Sequence, residues 1–136
     1  MICEVQFSEN ELKFIIENEI CRIATSKNNR PHVVPVCYVY IDECFFFATD
    51  YSTKKYNDLT ENNRIAIIID TYDKHNGNKA VAVDGISRFI HDGQEFEKIY
   101  DIFNDRFEWV KKEPWMVGEA PFVKIIPIKK ISWGLN

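Results

Sequence analysis

Apolar residues along this chain recur with two periods. In "SENELKFIIENE", residues 8–19, Leu12, Ile15 and Ile16, with Ile20 just beyond, follow the three-and-four spacing of one helix face. Ser8 and Glu11 form an S-x-x-E capping box, with Phe7 and Leu12 at the two staple positions, so a helix is predicted from Ser8 to about Glu19. The period then shortens. "ICRIATSK" (20–27) reads as a strand, "NNR" as a turn, and "PHVVPVCYVYI" (31–41) as one long second strand. Pro35 inside it implies an edge, a bulge or a break. Asp42-Glu43 turns the chain into "CFFFATD" (44–50). A short helix follows, with Tyr56 and Leu59 on one side and Asn62-Asn63 at its end. "RIAIIIDT" (64–71) and "KAVAVDGISRFIH" (79–91) are strands around the polar loop "YDKHNGN", and Gly85 suggests a bulge. A second long helix starts at Asp92 with Glu95 in a D-x-x-E pattern. Its stripe is Phe96, Ile99, Tyr100, Phe103, Phe107 and Val110, and Pro114 stops it. "FVKIIPIKKISW" (122–133) is the last strand. Short turns between most strands predict a mainly β fold: a six-stranded antiparallel barrel, closed or partly closed, with packed helices.

Composition agrees with one folded domain over residues 1–136. The apolar fraction is 46% and the aromatic fraction 14%, enough for a core. No apolar run reaches the roughly 20 residues that span a bilayer. "MICEVQFSENEL" has no basic stretch followed by an apolar one, so no secretory leader is expected, and the cytoplasm is the expected location. Cys3, Cys21, Cys37 and Cys44 lack CxxC spacing and read as small hydrophobes kept reduced. His32, His75 and His91 lack metal-ligand spacing. A net charge of -4, with bases interspersed among acids, argues against nucleic-acid binding.

One stretch opposes its local electrostatics. "TDYSTKKYNDL" (49–59) places Lys54 and Lys55 at a helix start, where the macrodipole disfavours cations by roughly 0.3–1 kcal/mol. Asp50, Ser52 or Thr53 caps the helix, and each register leaves both lysines in or near the first turn. An anion there resolves the conflict. Free N–H groups, hydroxyls and two ammonium groups then converge on a phosphate. The alternative is a pair of solvated lysines.

The order "RIAT", "RPHVVPVCYVY", "FFFATDYSTKKYNDL", "NNRIAIIID" resembles the FMN-binding split β-barrel superfamily, which includes pyridoxamine 5'-phosphate oxidase and small flavin reductases. The resemblance extends with less detail through "VAVDGISRFIHD" to the last strand. Its most specific part is Lys55, four residues before the apolar Leu59 and preceded by a strand ending at Thr49. The resemblance implies a homodimer with FMN lying across the strands at the interface. It implies phosphate contacts from Thr49, Thr53, Lys54 and Lys55, and a first-strand segment Arg22, Ile23, Ala24, Thr25 running along the flavin, with Arg22 a further phosphate or ribityl contact. Pro35, Val36 and Cys37 fall beside the ring. Trp115 and Trp133 are candidates to reach the flavin from the partner subunit, with Arg88 in the partner-side wall. Tyr38 and Tyr40 read as packing residues. The chain departs from pyridoxamine phosphate oxidase at its end, "KKISWGLN", which lacks the basic set that holds the substrate phosphate. The implied activity is therefore an FMN-dependent oxidoreductase supplied by a nicotinamide donor or another protein. A non-enzymatic FMN store or redox sensor, or a relative carrying haem or a deazaflavin, are the alternatives.

Overall fold

The computed structural model describes residues 5–135. Residues 1–4, Cys3 and the start of the expected leader-free segment among them, and Asn136 lie outside them. Helix α1 (Glu9–Glu17) starts at Ser8, and both halves of the capping box form. The Ser8 hydroxyl accepts from the Glu11 amide, and Glu11 accepts from the Ser8 amide at 2.7 Å. The helix stops two residues earlier than its pattern suggests, where the Asn18 side chain donates to the Phe14 carbonyl. Phe14 and Ile15 carry its buried face, whereas Ile16 is exposed and Ile20 already belongs to a strand.

Seven strands form one antiparallel sheet: β1 (Ile20–Lys27), β2 (Arg30–Cys37), β3 (Val39–Ile41), β4 (Cys44–Ala48), β5 (Arg64–Asp73), β6 (Gly77–Ile90) and β7 (Phe122–Trp133). The expected six become seven because the second strand breaks at Tyr38. The Tyr38 amide donates to the Glu19 carbonyl at 3.0 Å, and its hydroxyl donates to the Ile15 carbonyl at 2.6 Å. These bonds fix a fully buried corner. The sheet order is β2-β1-β5-β6-β7-β4-β3. Consecutive β2 and β3 thus occupy opposite edges while one residue joins them, so the sheet must curl until its edges meet. Two hairpins start the curl. Asn28-Asn29 and Asp42-Glu43 all have positive φ, the two-residue turn whose twist suits a hairpin.

The curl separates two apolar cores. Inside it, Cys21, Ile23, Phe45, Phe47, Ile65, Ile67, Val81, Val83, Val123 and Ile125 interdigitate. Outside, Phe46, Ile90, Phe122 and Ile126 are covered by α3 (Gly93–Arg106) and α4 (Glu108–Lys112) through Phe96, Ile99, Phe103 and Val110. The single helix expected after Asp92 is thus two, divided at Phe107, whose backbone is extended. Asp92 occupies the cap position without a side-chain bond, and Glu95 pairs with Lys124 at 2.9 Å instead. Gly85 does mark a bulge: pairing of β6 with β7 slips between Asp84 and Gly85. The second helix in chain order, α2 (Lys54–Glu61), connects β4 to β5.

Cys21 and Cys44 are buried and Cys37 is half-buried. Among the described residues no helix is long and apolar enough to cross a membrane, and no cluster of metal-ligating side chains occurs.

Candidate functional site

The start of α2 is built by Thr53. Its backbone is extended, and its hydroxyl accepts from the Tyr56 amide at 3.2 Å, which makes it the helix cap among the three candidates. The same hydroxyl lies 2.7 Å from that of Thr49, at the end of β4. Beside them opens a cavity of about 360 Å³, lined by Thr49, Thr53 and Lys55 at one side and by Trp109 and Trp115 at the other. Asp50, Glu113 and Glu119 also line it. Burial pulls the Lys55 pKa down, and the nearby Asp50 carboxylate opposes that shift.

The two indoles form a wall. Their rings lie 6.0 Å apart and 6° from parallel. The indole N–H of Trp115 is buried and, among the described residues, has no hydrogen-bond partner. A buried donor without a partner costs about 1–3 kcal/mol.

Lys54 follows a different path from its neighbour. It does not line the cavity. Its ammonium donates to Asp58, one turn along α2, at 3.2 Å. Asp58 is 1% exposed and also accepts from the Thr25 hydroxyl at 2.9 Å, which ties α2 to β1. Burial raises the Asp58 pKa, but the bonds from Thr25 and Lys54 outweigh it and hold the carboxyl below its ordinary value.

The remaining candidates scatter. Along β1 the side chains alternate: Ile23 and Thr25 point inward, Arg22 and Ala24 outward. Arg22 pairs with Asp70 at 2.5 Å on the outer face. Ala24 and Thr25 border a separate hollow of about 300 Å³ with Arg64 and Asp84. Pro35 lies on β2, an edge strand, opposite Arg22, and Val36 packs against the inner core. Cys37 lies behind the tryptophan wall; burial raises its thiol pKa against a hydrogen bond from Trp109. Arg88 is exposed on β6. Trp133 ends the 12-residue β7, far from the Phe122 end beside the cavity, and donates to Asn78. Tyr38 and Tyr40 pack against Phe45 as expected. Sequence reasoning missed Trp109, Glu113, Glu119 and Asp58. The Lys54/Asp58 spacing of four residues was the one visible signal, since it marks neighbours on a helix.

A family model for pyridoxamine 5'-phosphate oxidase matches residues 7–127. The chain belongs to the pyridoxamine 5'-phosphate oxidase family. Several solved structures share the fold of this family member. A FAD-binding protein from Mesorhizobium loti is 23% identical with a TM-score of 0.75, over 97% of this chain and 96% of that one. The haem storage protein HutZ from Vibrio cholerae is 17% identical with a TM-score of 0.79, over 90% and 92%. The FAD-binding protein from Mycobacterium smegmatis is 19% identical with a TM-score of 0.69, over 93% and 94%. At these identities the likeness is one of fold. Comparison with curated proteins gives no match.

Proposed function

We propose that this pyridoxamine 5'-phosphate oxidase family member binds FMN, with the flavin phosphate at the start of α2, and works as an FMN-dependent oxidoreductase in the cytoplasm. The observation that carries the reading is the convergence of Thr49, Thr53 and Lys55 on one cavity at a helix N-terminus. Two hydroxyls, an ammonium and free helix N–H groups are the donor set a phosphate monoester requires. The Trp109 and Trp115 indoles at the same cavity offer flat apolar surface beside that donor set. Names of FAD-binding relatives support a flavin as the ligand class. When bound, a flavin supplies the hydride and electron transfer itself, so the protein's task is to hold and orient it. A nicotinamide or a protein partner is the proposed electron source.

A second copy of the chain is the proposed partner. Part of the sheet's outer face is exposed. There Pro35, Arg22, Ile68, Ala82 and Ile131 stand in one cross-strand row, and Arg22 is already paired with Asp70. Ile131 is 64% exposed, and Val33 in the adjacent row is 65% exposed. Asp84 and Lys129 are opposite each other beside this row, so one copy offers both charges to its twofold mate.

Pyridoxamine phosphate itself is not the proposed substrate. No arginine follows Arg106, and of the late lysines Lys130 is held by Glu11. Efficient oxidation of that compound by the purified protein would defeat this part of the reading.

The phosphate assignment is tested by titrating FMN and riboflavin, which lacks the phosphate. Lys55→Ala is expected to weaken FMN binding about ten- to a hundred-fold, the worth of one charge-assisted hydrogen bond, and to change riboflavin binding much less. Equal losses for both ligands would assign Lys55 to the fold or the ring. An absorption spectrum separates the cofactor classes. Flavin bands support the proposal, and a Soret band without FMN binding would replace it with haem.

A further inference from the structure

The start of α2 carries two ammonium groups in sequence, but the cavity receives one. Lys54 is drawn back along the helix to Asp58, a carboxylate buried on the face that packs against β1. Asp58 is itself fixed by Thr25, so its position does not depend on Lys54 alone. Among the described residues Lys55 is the single cation that lines the cavity, and it shares it with Asp50, Glu113 and Glu119. One positive charge against three negative ones is a weak environment for a dianionic phosphate. A site built for permanent retention would present both lysines.

We propose that Asp58 sets the affinity and lifetime of the phosphate ligand: by holding Lys54 it withholds a second ammonium, which makes FMN an exchangeable ligand. This rests on reading the cavity as the flavin phosphate site. Asp58 touches no ligand and is a positioning residue that acts through Lys54. Neutralising it frees Lys54, whose flexible stem reaches the helix N-terminus, and a second charge-assisted bond then forms.

The experiment is a double-mutant cycle on the full chain, read with FMN and riboflavin. In wild type, FMN should bind more tightly than riboflavin, and Lys54→Ala should change FMN affinity by less than about twofold. Asp58→Asn keeps an acceptor for Thr25 and should tighten FMN binding about tenfold with slower dissociation, leaving riboflavin unchanged. Adding Lys54→Ala to Asp58→Asn should erase that gain. A gain that survives Lys54→Ala comes from removing a nearby negative charge and overturns the role given to Lys54. An unchanged or weaker FMN affinity in a folded Asp58→Asn protein overturns the proposal outright. If Asp58→Asn does not fold, Lys54→Ala decides alone. An FMN loss of about tenfold means Lys54 already binds the phosphate, and the proposal falls; a change below twofold supports it. Failure of the underlying reading looks different, because wild type would then bind FMN and riboflavin equally.

Discussion

Glu11 shows how one side chain joins two elements through three bonds. It closes the capping box of α1 through the Ser8 amide, pairs with Lys130 and accepts from the Ser132 hydroxyl, so it fastens α1 to β7. Burial raises its pKa, but these partners outweigh burial and bring the carboxyl from its ordinary 4.5 to about 2. A depressed carboxylate stabilises the fold while the unfolded chain is also ionised. That contribution is complete above about pH 5 and is lost as pH falls towards 2, where the folded form also protonates. Its size is on the order of 3 kcal/mol, from about 1.4 kcal/mol per pKa unit. Glu11→Gln should therefore be less stable than wild type at pH 7, and the difference should shrink steadily between pH 5 and pH 2. Denaturant unfolding across that range measures it. A difference independent of pH would assign the loss to packing alone. Lys55 and Asp58 show a related contrast: each is charged and partly or wholly withdrawn from water, but Asp58 has its partners within the chain while Lys55 faces a cavity.

At the scale of elements, the curl depends on places where the chain leaves regular geometry. Gly85 lies at the bulge where β6 changes partners on β7. A Cβ there would come within 2.8 Å of both the Ile126 carbonyl oxygen and an Ile125 methyl. The carbonyl belongs to the neighbouring strand and cannot rotate away. Gly85→Ala should cost about 1–3 kcal/mol, the usual price of overpacking a close contact, seen as a lower melting temperature. An unchanged melting temperature would mean that β7 yields at the bulge. Glu43 predicts the opposite sign. It holds φ 66, a conformation that costs most side chains roughly 1–2 kcal/mol and glycine almost none. Glu43→Gly should raise stability by a few tenths to about 1 kcal/mol, less than the strain because glycine also loosens the unfolded chain. Chemical denaturation of that variant would count against the strained-turn reading if it showed a loss.

For the whole molecule, the decisive feature is that the helices cover only part of the sheet's outer face. The uncovered part carries Val33, Pro35, Ile68, Ala82 and Ile131 in adjoining cross-strand rows. Covering it with a second copy should bury more than about 1,000 Å² in total. Ile131→Glu should convert the protein to a monomer at micromolar concentration, because a buried unpaired carboxylate costs far more than a rim contact gains. Since Ile131 is exposed in the single chain, the variant should still fold. Sedimentation equilibrium distinguishes the outcomes. A dimer that tolerates the change places the interface elsewhere, and a wild-type monomer with FMN present removes the proposed partner.

The sequence by itself determined the parts whose cause is local. The capping box at Ser8, the two turns at Asn28 and Asp42, the irregularity at Gly85 and a helix start between Asp50 and Thr53 carry signals within a few positions of one another, so they were readable, while the choice of Thr53 as cap was the structure's. The grouping of Thr49, Thr53, Lys54 and Lys55 followed from the family resemblance; the structure brings Thr49, Thr53 and Lys55 to one cavity and turns Lys54 away from it. Tertiary structure decided what depends on distant partners. The long second strand breaks at Tyr38 because its hydroxyl finds Ile15 on α1, a contact no pattern within the strand encodes. Phe107 divides the last helix while its ring still enters the outer core with Phe103, so apolar spacing alone ran through the break. Trp109 reaches the cavity from α4, and Trp133, of the same residue type, is held at the far end of β7. The two adjacent lysines look identical in sequence. Their side chains leave the helix about 100° apart, so one meets a buried carboxylate and the other meets the cavity.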